Sequence, residues 1–249
     1  MTSTSRRVLA ISYGTISLSV FVLGIAAMTA AMFVGMSSSW GCVPQPWNWV
    51  VNAGLLAQFT LGHSSLLTAR GGARLTRLAP GGHGRTLAAT TYVMVAAVQL
   101  LVLFTLWTPS GTIWWQAGGT ALLAMTVLYA SAWLLLFKAM VDAGLALQTG
   151  TLGWFALWCD RTPTYPGLPV KGLFRLTRQP IYVAFTLTLW TAPTWTPDQL
   201  VVAIALTAYC VVAPRFKEAR YRRRHGPEFE AYSRRVPYWL PWPRPAAGT

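Results

Sequence analysis

Polar and aromatic residues stand directly before an apolar run in the stretch RLTRQPIYVAF, residues 175–185. Arginine and glutamine side chains donate several hydrogen bonds, and tyrosine offers a hydroxyl group as well as an aromatic face. At the end of an apolar segment such groups could hold a polar small molecule. A second polar segment, residues 215–237, follows the next apolar run.

The second segment places Glu218 among many basic residues. At helical spacing Glu218 shares a face with Arg215, Arg222 and His225. A carboxylate could hold an ammonium group, and an arginine could hold a carboxylate through two parallel hydrogen bonds. Together they suit a zwitterionic amino-acid group. The alternative is an exposed ion pair between residues four apart, in a basic stripe that faces anionic lipid headgroups.

His63 is a further candidate for chemistry because it lies inside an apolar segment, close to Arg70. Ionisable residues are costly there and usually face the protein interior. One interpretation is a neutral histidine that is hydrogen-bonded to a neighbouring helix, and the other is a base or orienting group for an acceptor. Neither the histidines nor Cys42, Cys159 and Cys210 have the spacing of a metal site, so we predict no metal.

The elements that position these residues are predicted to be membrane-spanning helices. Only 10% of the 249 residues are charged, whereas soluble proteins contain roughly 25%. Uncharged stretches of about 20 residues match a hydrocarbon core of roughly 30 Å. We therefore predict an all-α fold, a polytopic transmembrane helix bundle, with six spans at residues 8–34, 47–69, 87–107, 117–137, 181–194 and 198–214.

The basic residues behind the net charge of +14 lie on alternate connections. The connections 35–46 and 108–116 contain no lysine or arginine, whereas residues 70–85, 138–178 and 215–249 contain most of them. Positive residues stay on the cytoplasmic side. We therefore predict both termini in the cytoplasm, a bacterial inner-membrane location with the active site facing the cytoplasm, and contact with membrane lipids rather than nucleic acid.

The chain divides into a four-helix N-terminal region, residues 1–137, and a region with most of the polar residues, residues 138–249, which ends in a basic tail. In the second region, the TAPTWTP stretch predicts a proline-rich turn between two short helices. Such a hairpin brings its ends together, so segments 171–182 and 215–237 should face each other. We expect a pocket there, at the membrane surface.

Three motifs follow one another in this second region: RQPIY at 178–182, KEARY at 217–221 and HGPEFEAYSRRVPYWLP at 225–241. This order resembles the membrane-bound superfamily of isoprenylcysteine carboxyl methyltransferases, phospholipid methyltransferases and methanethiol S-methyltransferases. A likeness to the methanethiol-type and NnrU-like branches extends forward through LGHSSLLTAR, at 61–70, and through residues 90–107.

The resemblance implies S-adenosyl-L-methionine bound between the first two motifs and an acceptor that enters from the bilayer. The positions that match the superfamily motifs are Arg178, Pro180, Tyr182, Glu218, Gly226, Tyr232, Arg235, Val236 and Pro237. The sequence departs from the motifs with Gln179 for a histidine, Lys217 for a glutamate, Tyr221 for a leucine and Phe229 for a tyrosine.

The motif positions and the physical arguments give the predicted site. Catalytic roles are predicted for His63, as a base or orienting group for the acceptor, and for Tyr182. An aromatic face such as that of Tyr182 or Trp190 favours a sulfonium cation. Gln179 keeps the capacity to donate and accept hydrogen bonds. The predicted cofactor-binding residues are Arg178, Gln179, Pro180, Tyr182, Glu218 and Arg222.

Methyl transfer from a sulfonium is an in-line displacement, which mainly requires that donor and acceptor be held in place. We predict methylation of a small or lipophilic thiol, because basic neighbours favour the thiolate and because of the forward likeness. The alternatives are O-methylation of an isoprenylcysteine-like carboxylate, N-methylation of a lipid, and a non-enzymatic NnrU-like membrane protein.

Overall fold

The computed structural model of the protein describes residues 2–240; Pro241 of the third motif and the rest of the predicted basic tail lie outside these residues. The helices are α1 (Ser3–Phe33), α2 (Trp47–Leu66), α3 (Ala69–Leu78), α4 (Gly84–Leu106), α5 (Gly119–Asp142), α6 (Leu145–Gln148), α7 (Thr151–Trp158), α8 (Pro180–Trp190), α9 (Pro197–His225) and α10 (Pro227–Arg235). A short 3-10 helix covers Gly172–Arg175, and the strands β1 (Trp115–Gln116) and β2 (Thr194–Trp195) form an antiparallel pair.

The predicted all-α membrane bundle is confirmed by these helices. In the described part of the chain, α1, α4, α5 and α9 are long and apolar enough to cross a membrane. The other two predicted spans coincide with α2, which contains two asparagines, a glutamine and a histidine, and with α8, which has only 11 residues. Six crossings therefore stay a prediction.

The core of the bundle forms where α1 packs against α4. Gly24 makes close contact possible, because a Cβ atom at this position would lie only 2.8 Å from the Ala97 carbonyl oxygen. Large side chains fill the space between this pair and the α8–α9 hairpin, and the buried ones include Met28, Met32, Leu103, Phe104, Trp107, Leu189 and Leu206. This core fixes α8 and α9 against the N-terminal helices.

The uncharged connections meet at one end of the bundle, around the buried carboxylate of Asp198. Asp198 accepts hydrogen bonds from Trp107 Nε1 and from the Ser110 backbone N–H, both at 2.9 Å. The TAPTWTP stretch is not only a turn, because β2 lies within it and pairs with β1, Trp115 opposite Trp195. Two-residue strands are too short to show a period in the sequence.

At the opposite end, Asp142 holds the 3-10 helix against α5. Its carboxylate forms the ion pair with Lys138 that the spacing of four residues favours, and it accepts a hydrogen bond from the Leu173 backbone N–H at 2.9 Å. Gly172 has a φ of 57°, and a Cβ atom there would overlap the Asp142 carboxylate. A glycine is thus required for this contact, which fixes the chain that leads into α8.

Helix α9 continues from the predicted end of its span at residue 214 to His225, and it carries the second polar segment with it. Gly226, with a φ of 49°, then reverses the chain into α10. The buried residues Phe229, Tyr232 and Val236 pack against the end of α9 and the loop before α8. The two polar segments therefore meet at one end of the bundle.

Candidate active site

Arg178 joins the start of α8 to α9 and to the C-terminal segment. Its Nε and Nη2 atoms donate to the two carboxylate oxygens of Glu218, at 2.8 and 3.1 Å. Its Nη1 donates to the backbone oxygens of Ser233 and Val236, at 2.7 and 2.8 Å. About nine-tenths of each side chain in the ion pair is buried. The predicted meeting of segments 171–182 and 215–237 is confirmed by these contacts.

Gln179, which occupies the histidine position of the motif, is fully buried beside this ion pair. Its Nε2 donates to Glu218 Oε1 at 2.8 Å. Its Oε1 atom is buried and has no hydrogen-bond partner within residues 2–240. Buried acceptors of this kind are costly unless they are satisfied, so the Gln179 oxygen is a position at which a bound N–H group would be stabilised.

Glu218 does not form the exposed ion pair along α9 that was the alternative interpretation. Glu218 as a whole residue is 7% exposed, and its partner Arg178 lies 40 residues away in sequence. Arg222, by contrast, is exposed and lies over the Phe229 ring, with 5.7 Å between its guanidinium carbon and the ring centroid. The structure thus brings Arg178, Gln179 and Glu218 together and places Arg222 outside this group.

Tyr232 closes the same region from α10. Its hydroxyl donates to the Phe174 carbonyl oxygen at 2.7 Å. Burial raises the pKa of Tyr232 well above its ordinary value, so the phenol stays neutral and remains a donor. Tyr232, a residue of the third motif, therefore holds α10 against the 3-10 helix that precedes the first motif.

A cavity of about 580 Å³ lies beside the Arg178–Glu218 network. Its size is within the roughly 300–1,000 Å³ of small-molecule sites. His63 and Tyr182, the two predicted catalytic residues, both line this cavity although they come from the two halves of the chain. Of the other predicted cofactor residues, Pro180 and Arg222 line neither it nor the crevice described below.

The lining of the cavity changes from apolar to basic. Many of the apolar side chains come from α1, α2, α4, α5 and α8, and they include Phe21, Ile25, Met28, Phe59, Leu100, Leu136 and Phe185. The polar side chains at the other end are those of Gln148 on α6, Tyr165 in the loop before the 3-10 helix, and Lys217, Arg220, Arg224 and His225 at the end of α9. Among residues 2–240, no aspartate or glutamate lines this cavity, so its polar end attracts anions.

His63 combines features of both interpretations of this residue. Its Nε2 atom lies 2.7 Å from the Tyr92 hydroxyl on the neighbouring helix α4, at hydrogen-bond distance. Its ring lies against those of Phe59 and Tyr209, with centroids 5.3 and 6.4 Å away. The histidine is thus held by its neighbours and also lines the cavity, and a role in turnover stays a prediction.

A narrow crevice lies between the cavity and the buried ion pair. Arg178, Gln179, Glu218, Phe229 and Tyr232 line only the crevice, whereas Pro169, Phe174, Lys217 and Tyr221 line both spaces. The Lys217 Nζ atom lies over the rings of Tyr182 and Tyr221, 5.3 and 5.8 Å from their centroids. Two of these shared residues, Lys217 and Tyr221, are departures from the superfamily motif.

Sequence reasoning missed Tyr92, Tyr209 and Lys217 as residues of the site. Tyr209 belongs to none of the three motifs, yet its hydroxyl accepts a hydrogen bond from Ser64 at 3.2 Å and its ring lines the cavity. The signal that could have found Tyr92 and Tyr209 is a polar hydroxyl within an apolar helix. Lys217 was recognised in the sequence as a departure from the motif, but no role was predicted for it.

Comparison with known proteins identifies the family. The chain is 30% identical over 197 residues to a methanethiol S-methyltransferase of Mycobacterium tuberculosis, and the match covers 78% of each chain. The chain belongs to the methanethiol S-methyltransferase family. It is also 30% identical over 161 residues to methanethiol S-methyltransferase 2 of Bradyrhizobium diazoefficiens, covering 61% of this chain and 59% of the relative.

A third member of the family, methanethiol S-methyltransferase 1 of Bradyrhizobium diazoefficiens, is 28% identical over 203 residues, which are 78% of this chain and 67% of the relative. No protein-family model matches the chain. No solved structure matches it. The membership confirms the predicted superfamily and makes the protein an integral membrane methyltransferase, in place of the non-enzymatic alternative.

Proposed function

We propose that the protein transfers a methyl group from S-adenosyl-L-methionine to a small thiol. The relatives named methanethiol S-methyltransferase support the thiol as acceptor. The observation that carries the proposal is the cavity of about 580 Å³, because it brings His63 from the N-terminal half next to Tyr182 and Lys217 of the motif region.

The crevice and the polar end of the cavity present charged and polar groups that complement the amino-acid group of this donor. Its ammonium group would find the buried Glu218 carboxylate and the unpartnered Gln179 oxygen. Its carboxylate would find Arg220 or Arg224 at the basic end of the cavity. When bound, the donor supplies an electrophilic methyl group on a positively charged sulfur.

Two other predicted cofactor residues, Arg178 and Pro180, affect donor binding indirectly, because they position the residues that would contact the donor. Arg178 uses three nitrogens to hold Glu218 and the C-terminal segment, so it orients the carboxylate. Pro180 begins α8 and follows the buried Gln179. Tyr182 presents a ring beside Lys217, at a place where an aromatic face could contact the sulfonium. Arg222 lies outside both spaces, and we assign it no contact with the donor.

The acceptor would occupy the apolar part of the cavity. Apolar walls there exclude water, and His63, held by Tyr92, would orient the thiol. Positioning of this kind contributes up to roughly 7–11 kcal/mol to a displacement reaction in well-oriented cases. A carboxylate or amine acceptor would use the same displacement, and the names of the relatives favour the thiol over both.

The basic connections support a bacterial inner-membrane protein with six spans, whose site faces the cytoplasm. The cavity ends among Lys217, Arg220 and Arg224, on the side of the basic connections. Positive residues remain cytoplasmic, so a donor made in the cytoplasm could enter from that side. Membrane lipids would surround the exposed apolar faces of the outer helices.

A methyl-transfer assay tests this proposal. Purified protein in detergent or lipid nanodiscs is mixed with donor labelled on its methyl group and with methanethiol, longer alkyl thiols, farnesylcysteine or a lipid extract. We expect label in the thioethers of the small thiols. Label in farnesylcysteine or lipid but in no thiol would overturn the acceptor, and failure to bind S-adenosylhomocysteine would overturn the donor.

A further inference from the structure

The residues shared by the crevice and the cavity form the boundary across which a methyl group would pass from donor to acceptor. On the proposed function, the ammonium group of the donor points to Glu218 and Gln179 in the crevice, and the acceptor lies in the cavity. The transferred methyl must then pass near the residues that line both spaces, which are Pro169, Phe174, Lys217 and Tyr221. Lys217 is the one member of this group that carries an amine.

No carboxylate forms an ion pair with Lys217 within the part of the chain that the structure describes. The adjacent Glu218 is engaged by Arg178 and Gln179 instead. The amine lies over two tyrosine rings in a partly buried position. An amine of this kind, with no carboxylate partner, is suited to accept a proton or to bind an anionic ligand.

The titratable and charged groups that line the two spaces with Lys217 come from α2, α4, α8, α9, α10 and the loops before α8, and they include the buried thiol of Cys210 on α9. The others are His63 on α2, Tyr92 on α4, Tyr165 in the loop before the 3-10 helix, Arg178 before α8, Tyr182 on α8, Tyr209, Glu218, Arg220, Tyr221, Arg224 and His225 on α9, and Tyr232 on α10. Since Glu218 is already paired, the remaining basic groups favour an anion beside Lys217.

We propose that Lys217 is the base that deprotonates the acceptor thiol and then stabilises the resulting thiolate, an inference that rests on the proposed function. The Lys217 amine takes the proton of the S–H group and becomes an ammonium. The thiolate sulfur then forms a bond to the methyl carbon, and the bond between that carbon and the donor sulfur breaks. Both sulfur products are neutral thioethers, and the ammonium returns its proton to water at the basic end of the cavity.

His63 is less suited to this step than Lys217. Its Nε2 atom already lies at hydrogen-bond distance from Tyr92, and it lines the cavity but not the crevice. A thiolate is the nucleophilic form of a thiol, and an adjacent cation stabilises it. We therefore assign proton transfer to Lys217 and orientation of the acceptor to His63.

The test compares Lys217→Met and Lys217→Arg with the wild type and with Lys171→Met, which replaces an exposed lysine that lines neither space. The rate kcat/KM for an alkyl thiol is measured from pH 6 to pH 10, and S-adenosylhomocysteine binding is measured by calorimetry. General bases typically contribute about 10²–10⁴-fold. We therefore expect Lys217→Met to lose about 100-fold or more at neutral pH.

The pH profile separates this role from a structural one. In Lys217→Met the rate should rise about tenfold per pH unit as solution supplies the thiolate, while binding of S-adenosylhomocysteine stays as in the wild type. Lys217→Arg should also be slow at neutral pH, because a guanidinium does not accept a proton.

Three results would overturn the inference: a rate in Lys217→Met that does not recover at high pH, full activity in Lys217→Arg, or weaker S-adenosylhomocysteine binding in Lys217→Met alone. The last would instead assign Lys217 to the donor carboxylate. Failure of the proposed function is recognised separately, since the wild-type protein would then methylate no thiol at any pH.

Discussion

Arg178 and Glu218 form a bidentate ion pair across 40 residues of sequence, with Nε–Oε1 and Nη2–Oε2 distances of 2.8 and 3.1 Å. The same guanidinium also donates to the backbone oxygens of Ser233, in the last turn of α10, and of Val236, directly after it. Three parts of the chain are thereby joined at one side chain: the start of α8, the polar end of α9 and the C-terminal segment.

Replacement of Arg178 by methionine should destabilise the protein. The change leaves the Glu218 carboxylate buried without its cation, and the loss of one partner of a buried pair costs about 3–5 kcal/mol. The free energy of unfolding in mixed micelles measures this effect. Arg223→Met, at an exposed position on α9, is the matched control and should change the stability by less than about 0.5 kcal/mol. Equal stability of the two variants would contradict a stabilising role for the Arg178–Glu218 ion pair.

Glu218→Gln should weaken the binding of S-adenosylhomocysteine. A hydrogen bond to a charged group contributes about 1.5–3 kcal/mol, so the affinity should fall by roughly 10- to 150-fold as measured by calorimetry. Glu228→Gln, which changes an exposed carboxylate on α10, should bind as the wild type does. Unchanged affinity in the folded Glu218→Gln variant would restrict Glu218 to holding Arg178.

Replacement of His63 by alanine should lower the turnover of a small thiol and leave S-adenosylhomocysteine binding intact. The reason is that His63 lines the cavity but not the crevice. Tyr92→Phe removes the hydroxyl that lies 2.7 Å from His63 Nε2, and it should produce a smaller loss in the same direction. Rates under saturating donor measure both effects. A loss of donor affinity in His63→Ala would contradict this assignment.

Reporter fusions test the six-span topology. Fusions at residues 40 and 112 should report a periplasmic location, since their connections contain no lysine or arginine. Fusions at residues 78 and 249 should report the cytoplasm. A periplasmic signal at residue 78 would show that α2 does not cross the membrane, and a periplasmic C-terminus together with a periplasmic residue 112 would show that α8 does not cross it.

The sequence by itself determined the class of fold and the family. In a bilayer every backbone polar group needs a hydrogen-bond partner within the protein, and an uncharged stretch of about 20 residues provides these partners by forming a helix. The ordered motifs at 178–182, 217–221 and 225–241 then indicated a methyltransferase. The meeting of the two polar segments also followed from the sequence, since a short hairpin brings its two ends together.

Only the tertiary structure decided which partner each polar group has. Helical spacing favoured basic neighbours along α9 for Glu218, whereas the folded chain pairs it with Arg178. The cavity likewise joins His63 from the predicted region 1–137 to Lys217 from the region 138–249, and that division of the chain stays a prediction. Local spacing records neighbours within one helix, but contacts between distant helices depend on how they pack, and no pattern within a single helix contains that information.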